Sequence, residues 1–289
     1  TGQVAQALAK VLRRDGGVDA TFVGRPDFDL LTADTVPQLL DAHSPDLVLN
    51  AAAYTAVDQA ERDSSLAHRV NAVGPGVVAK WCAKADRPFL HMSTDCVFDG
   101  KKDRGYVETD TPAPLSVYGR TKAAGERAVA TSAPKYLIVR VGWVHSPFGK
   151  SFPRTMLSLA MNHNEVSVVD DQIGRPTHAS DLAAGLVKMA KDCMQTGFED
   201  WGIYHLAGQG ETDRASMAEA VYADSAQLGG PTTQVRRVSS DVFAAAAARP
   251  LNARLDSERA KKVFGLTLPH WRDRLSDCVA DILDEKRTP

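Results

Sequence analysis

A chain of 289 residues with 34 Lys and Arg against 36 Asp and Glu carries a formal net charge of -2 and no local run of Lys or Arg, so it offers no basic field for gripping a nucleic acid. Hydrophobic content of 44% and charged content of 24% are ordinary for a globular protein with one large core or two modest ones. No apolar stretch approaches the roughly 20 residues a membrane helix needs, and no basic segment leads into an apolar signal core, which predicts no membrane partner and a cytoplasmic location.

The chain opens "TGQVAQALAKVL", a glycine followed by a helical pattern with Val4, Leu8 and either Val11 or Leu12 on one face. In a dinucleotide fold a glycine here lets the backbone approach a pyrophosphate at the helix N-terminus, and Ala5 has the smallness that close helix packing requires. The strand and the earlier glycines of such a motif would lie before Thr1. "ATFVGR" (20–25) reads as a strand followed by Arg25, whose guanidinium suits the 2′-phosphate of NADP, although a surface arginine is the plainer alternative. A helix is predicted over 35–43.

"DLVLNAAA" (46–53) reads as a strand that ends in small residues, with room for a nucleotide or for close helix packing. A helix over 64–85 leads to the strand "PFLHMST" (88–94), which places Thr94 at the carboxyl edge where open α/β sheets bind ligands. A helix over 117–131 and the strand "KYLIVRVGW" (135–143) complete the first half. Nearly continuous apolar strands alternating with amphipathic helices predict a Rossmann-like, doubly wound parallel sheet.

Past residue 145 the pattern predicts helices near 151–162 and 180–194, a strand at "GIYHLAG" (202–208), a helix over 213–228, an Ala-rich segment at 241–248 and two closing helices. No linker or repeat separates the halves. The expected organisation is therefore a dinucleotide-binding domain over 1–145, to which 180–200 returns, and a smaller discontinuous α/β substrate domain from 146–179 and 201–289. Cys82, Cys96, Cys193 and Cys278 are far apart without a C-x-x-C pair, and the histidines show no metal-ligand spacing, so reduced thiols and no structural metal are expected.

"SVYGRTKAAGE" (116–126) sets Tyr118 and Lys122 one helical turn apart on one face. With "NAAAYTAVDQAE" (50–61) and "HMSTDCVFDG" (91–100), the chain resembles an extended short-chain dehydrogenase/reductase with Thr94, Tyr118 and Lys122 as its catalytic set. "RVGWVHSPFGKSF" (140–152), "VVDDQIGRPTHASDLA" (168–183), "GIYHLAGQGET" (202–212), "ARPLNARLD" (248–256) and "PHWRDRL" (269–275) extend the resemblance to the dTDP-4-dehydrorhamnose reductase family over nearly the whole chain.

The resemblance implies NADPH, with NADH as the alternative, held by Gly2, Gln3, Val4, Arg25, Asp29, Leu30, Ala52, Ala53, Tyr54, Thr55, Met92, Tyr118 and Lys122. It implies a nucleotide-sugar substrate, dTDP-4-dehydro-L-rhamnose, against Ser93, Thr94, Asp95, Cys96, Tyr118, Trp143 and Arg249. Hydride transfer to a ketone leaves an alkoxide that needs a proton, which Tyr118 would supply. A phenol near pKa ~10 is poorly matched to neutral pH, and Lys122 is expected to lower it by about three units, or ~4 kcal/mol.

Thr94 would hold the carbonyl oxygen. Related dehydratases often read Thr-Asp-Glu at this strand end; here Thr94-Asp95-Cys96 lacks the second carboxylate, which disfavours dehydration. Rhamnose-forming reductases commonly carry Tyr where Cys96 stands, which bears on sugar contacts and on the choice of sugar. Trp143 would stack on the deoxysugar or fill a core, and Arg249 would meet the diphosphate or a surface carboxylate. Ser180 stands where some relatives have a Glu that helps bind Mg2+ between subunits, so that metal and that dimer are not carried over, and a homodimer stays open. Two other functions remain: reduction of a different nucleotide-linked 4-keto sugar, and a non-catalytic NADP-binding regulatory subunit.

Overall fold

The computed structural model describes residues 2–32, 34–243 and 245–287. Helices α1 (Gln3–Asp15) and α2 (Val36–His43) precede β1 (Val48–Asn50), α3 (Val57–Ala60), α4 (Ser64–His68) and α5 (Gly74–Lys84). Then come β2 (Phe89–Thr94), α6 (Val117–Ser132), β3 (Tyr136–Val141), β4 (Val144–His145), α7 (Phe152–Ala160), β5 (Glu165–Val169), β6 (Ile173–Gly174) and β7 (Thr177–His178). The chain closes with α8 (Ala179–Cys193), β8 (Gly202–His205), β9 (Thr212–Asp213), α9 (Arg214–Gln227), β10 (Gln234–Val238), β11 (Asn252–Ala253), α10 (Glu258–Phe264) and α11 (Trp271–Arg287).

The central sheet is parallel in the order β1-β2-β3-β8, with Phe89 opposite Val48 and Tyr136, and Thr94 opposite Val141. Alternation along each strand sends its side chains to opposite faces. Leu90, Leu137, Val139 and Val141 pack under α1 and α8 with Leu8, Leu182 and Leu186. Phe89 and Ile138 pack on the other face with Leu40 of α2, Val78 of α5 and Val129 of α6. The fold is thus Rossmann-like and doubly wound. A further core joins α7, α9 and α11 to the parallel pair β5–β10 through Met156, Leu157, Val168, Val221 and Ile282.

Two sequence expectations fail. Residues 20–25 form no strand: Phe22 and Val23 are 52% and 43% exposed, and no strand among the described residues pairs with the segment. A strand exists only through its ladder partners, and the outer edge of β1 is likewise unpaired. The helix expected over 64–85 is interrupted by a π-helical turn, Arg69–Val73, which turns Asn71 inward to bond the Tyr54 backbone N–H and C=O and the Thr121 hydroxyl; Pro75, lacking an N–H, then opens α5. The Ala-rich 241–248 is irregular among its described residues, and Ala244 lies outside them.

Polar side chains also cross the sheet–α6 interface. Arg140 of β3, 1% exposed, donates to both carboxylate oxygens of Glu126 at 2.8 and 2.7 Å. The Ser93 hydroxyl donates to the same carboxylate at 2.5 Å, and Phe98 lies against the guanidinium, its ring centre 5.0 Å away. His205 faces Arg140 with Nε2 at 3.3 Å, and Nδ1–H donates to the Tyr106 carbonyl at 3.0 Å. Removing one partner of a buried pair strands the other charge. Arg140→Met is expected to cost about 3–5 kcal/mol in urea unfolding, with more than half regained in Arg140→Met/Glu126→Leu; a double variant no more stable than the single one would contradict this account.

Candidate active site

Thr94 ends β2 at the carboxyl edge, and α6 starts beside it. Ser116 caps α6 by accepting the Gly119 N–H at 3.2 Å, and Glu61 accepts the Val117 N–H at 2.8 Å. Gly119 permits the close approach: a Cβ there would lie 2.2 Å from the Cys96 carbonyl oxygen. This contact sets Tyr118 against Thr94, Asp95 and Cys96.

Burial, reinforced by Cys96 and Asp95, pushes the Tyr118 phenol above its ordinary range, while the neighbouring Thr94 hydroxyl pulls the other way. The expected depression by Lys122 is absent. Lys122 is 2% exposed and donates from Nζ to the Met92 carbonyl at 2.6 Å, with His91 Nε2 at 3.4 Å. Among the described residues no hydrogen bond joins the phenol to the ammonium, because Nζ is turned down onto the strand. Burial lowers Lys122 to about 8, with Glu126 opposing. His91 is itself held well below its ordinary pKa by burial and by Lys122, and its Nδ1 lies 3.1 Å from the Asn50 amide nitrogen.

The Thr94 hydroxyl donates to Asp95 at 2.8 Å and accepts the Cys96 N–H at 3.2 Å. Burial raises the Asp95 pKa against the pull of Thr94 and Arg214, and the Cys96 thiol is pushed up by burial and by Asp95. Ser93 departs from the expected sugar contact. Alternation turns its side chain to the α6 face, where its hydroxyl is committed to Glu126.

On the cofactor side, α1 begins at Gly2 with no capping side chain and no acid in its first turn, so its free N–H groups fit an anionic pyrophosphate. Gln3 accepts a hydrogen bond from Ser146 at 2.8 Å, while Val4 packs toward the core. Arg25 is exposed and forms no ion pair among the described residues, which suits a phosphate ligand. Asp29 accepts the Leu31 N–H at 3.0 Å; Leu30 is buried against Gly74, so its side chain serves packing. Ala52, Ala53, Tyr54 and Thr55 follow β1 around the edge, with Ala52 N–H bonded to Asn50 and the Tyr54 hydroxyl to Asp63. Met92 contributes the carbonyl that holds Lys122.

On the other side, Trp143 has a left-handed backbone, φ 48°, unusual and strained for a bulky residue. Its indole fills space left by Gly174, where a Cβ would lie 2.3 Å from the ring. Arg249 takes the plainer of its two expected roles, donating to both oxygens of Asp58 at 3.2 and 2.6 Å. Three residues escaped the sequence reading: Asn71, His91 and Arg214. A histidine inside an otherwise apolar strand and an arginine in the first turn of a helix were signals for the latter two. Among the described residues no group of three or more His, Cys, Asp or Glu side chains is placed to hold a metal.

A hydroxyl, a phenol and a buried amine at the carboxyl edge of a doubly wound sheet mark the extended short-chain dehydrogenases and reductases. A family model for the RmlD substrate binding domain matches residues 1–283. The dTDP-4-dehydrorhamnose reductase of Sinorhizobium fredii is 39% identical over 98% of this chain and 96% of its own length. That of Escherichia coli is 36% identical over 94% and 92%. A solved dTDP-4-dehydrorhamnose reductase from Bacillus anthracis, in complex with NADP, matches with a TM-score of 0.88 at 31% identity over 97% of this chain and 96% of its own. One from Clostridium acetobutylicum matches with 0.90 at 30% over 98% and 97%. The chain belongs to the dTDP-4-dehydrorhamnose reductase family.

Lys122 makes stability depend on pH. Its pKa falls from 10.5 to about 8 on folding, so between those values the unfolded chain still holds a proton that the folded chain has released. The stability that this provides is complete above about 10.5 and is lost as pH falls toward 8. Urea unfolding of the parent and Lys122→Met at pH 8 and pH 10 should show the parent gaining on the variant at the higher pH, by on the order of 3 kcal/mol over the full window. A constant difference would mean that Lys122 keeps its proton when buried.

Proposed function

We propose that this protein reduces the C4 ketone of dTDP-4-dehydro-L-rhamnose to dTDP-L-rhamnose with NADPH, in the cytoplasm. The observation that carries the proposal is the Tyr118 phenol, kept protonated by burial and set against Thr94 at the sheet edge. The nicotinamide cofactor, when bound, supplies the hydride. Thr94 and Tyr118 hold the ketone oxygen and align the carbonyl carbon. As charge grows on that oxygen, Tyr118 releases its proton to the alkoxide, which is the stronger base.

Lys122, anchored on the Met92 carbonyl, supports the nicotinamide ribose and stabilises the phenolate that forms. Arg25, exposed beyond α1, meets the 2′-phosphate of NADPH, while α1 receives the pyrophosphate at its N-terminus. The sheet with α1, α2, α5, α6 and α8 serves the cofactor, and the lobe of α7, α9 and α11 serves the sugar nucleotide. Asp95 has Cys96 rather than a second carboxylate beside it, so the acid–base pair for removing water is missing. Cys96 beside Tyr118 favours one alternative, a different nucleotide-linked 4-keto sugar. No helix among the described residues is long and apolar enough to cross a membrane. A homodimer is compatible with this reading and enters no step of it.

The direct test is NADPH oxidation with enzymatically generated dTDP-4-dehydro-L-rhamnose, with NADH and a UDP-linked 4-keto sugar as controls. Oxidation with the UDP-linked sugar alone would shift the substrate. A protein that binds NADPH but reduces no keto sugar would be a regulatory subunit.

Tyr118→Phe is expected to lower turnover by roughly 10²–10⁴-fold, about 3–5 kcal/mol of barrier, and to leave NADPH affinity unchanged. Lys122→Met should reduce both. Near-parental turnover in Tyr118→Phe, with chemistry rate-limiting, would end the proton-donor assignment. Arg25→Ala should lower the ratio of NADPH to NADH affinity roughly 10-fold or more, the loss of a charge-assisted phosphate contact; an unchanged ratio would make Arg25 a solvated side chain.

A further inference from the structure

Arg214 opens α9 directly after its Asp213 cap, so a cation stands where the helix dipole is already positive. Its guanidinium lies on Trp143, Cζ 3.5 Å from the ring centre, and 5.3 Å from that of Phe152. Burial lowers its pKa to about 10, which leaves it charged at neutral pH. It faces Asp95, Cys96 and the guanidinium of Arg249.

No carboxylate among the described residues comes within ion-pair distance of Arg214, and none of its N–H groups has a partner there. Asp213, its neighbour in the chain, caps Ser216 and pairs with Arg237 at 2.9 Å. Asp95 receives the Thr94 hydroxyl and is itself pushed toward its neutral form by burial. Arg249 is satisfied by Asp58. A guanidinium partly withdrawn from water, without an ion-pair partner among the described residues and at the wrong end of a helix, is a burden on folding that stacking on one indole only partly offsets. The indole beneath it is in turn held by a left-handed backbone.

We infer that Arg214 is a substrate-recognising residue: from the face of Trp143 it receives an anionic oxygen of the diphosphate in the nucleotide sugar. The inference rests on reading this edge as a nucleotide-sugar reductase site. The sugar and the base carry only neutral hydrogen-bonding groups, so the diphosphate is the part of the substrate that completes an unpaired cation. A fork of N–H donors suits its oxygens. The same contact fixes the plane of Trp143 relative to the sugar.

The test titrates the NADPH-saturated full chain, Arg214→Met and Arg214→Lys with dTDP and with thymidine, and compares unfolding midpoints of the ligand-free proteins. Arg214→Met should bind dTDP roughly 10–100-fold more weakly, as loss of a charged hydrogen bond implies, with thymidine affinity unchanged within about twofold. Arg214→Lys should recover part of the loss, and neither midpoint should fall. In turnover, KM for the keto sugar should rise by more than kcat falls.

Unchanged dTDP affinity in Arg214→Met overturns the inference, and so does an equal loss for dTDP and thymidine with a lowered midpoint, which would make Arg214 a structural residue. Parental turnover of the keto sugar together with untouched dTDP affinity sinks the inference alone. A parent that reduces no keto sugar but binds dTDP through Arg214 sinks the proposed reaction and leaves the anion contact standing.

Discussion

The Glu126–Arg140 pair, sealed between α6 and β3, sets the geometry on which the active site depends. Its two parallel hydrogen bonds leave little freedom for α6 to slide or rotate against the sheet. Lys122 is one turn before Glu126 on the same helix, and Tyr118 one turn before that. Ser93, one residue before Thr94, donates to the same carboxylate. The strand end and the helix start that must meet at the substrate are therefore tied to one buried anion. Apolar packing would hold the layers together with less angular definition, because dispersion contacts are non-directional and a bidentate pair is not.

Burial then sorts the protonation states. The same exclusion of water that makes the ion pair exacting lowers Lys122 and raises Tyr118. A donor that stays protonated until an alkoxide forms, above an amine near neutrality, is a consistent arrangement for reduction. The depressed phenol expected from the Y-x-x-x-K spacing required Lys122 to face Tyr118. The Met92 carbonyl takes the ammonium instead, since a buried charge goes to the best acceptor within reach.

The far side of the site is built differently. Trp143, Arg214 and Arg249 arrive from three separate segments, and their environment is cationic and aromatic, in contrast to the small residues and free helix N-terminus on the cofactor side. Under the proposed reaction the two sides would serve two ligands of different character: a dinucleotide on the side of the helix N-terminus, and a sugar nucleotide on the side of the arginines and the indole.

The sequence by itself determined the doubly wound sheet, since strands covered on both faces must be continuously apolar and helices facing them must be amphipathic. β2, β3, α6 and α8 all fall within two or three residues of where their patterns place them. Thr94, Tyr118 and Lys122 are legible as one set through the resemblance of their motifs, at a strand end and in a first helical turn, to those of short-chain dehydrogenases and reductases. Only the tertiary structure decided what each polar group faces. Ser93 belongs to Glu126, Arg249 to Asp58 and Lys122 to Met92, and Arg214 rests on an indole with no ion pair among the described residues. The loss of strand 20–25 has the same origin. Local pattern reports propensity and periodicity, whereas ladder partners, ion-pair partners and burial are set by residues tens to hundreds of positions away.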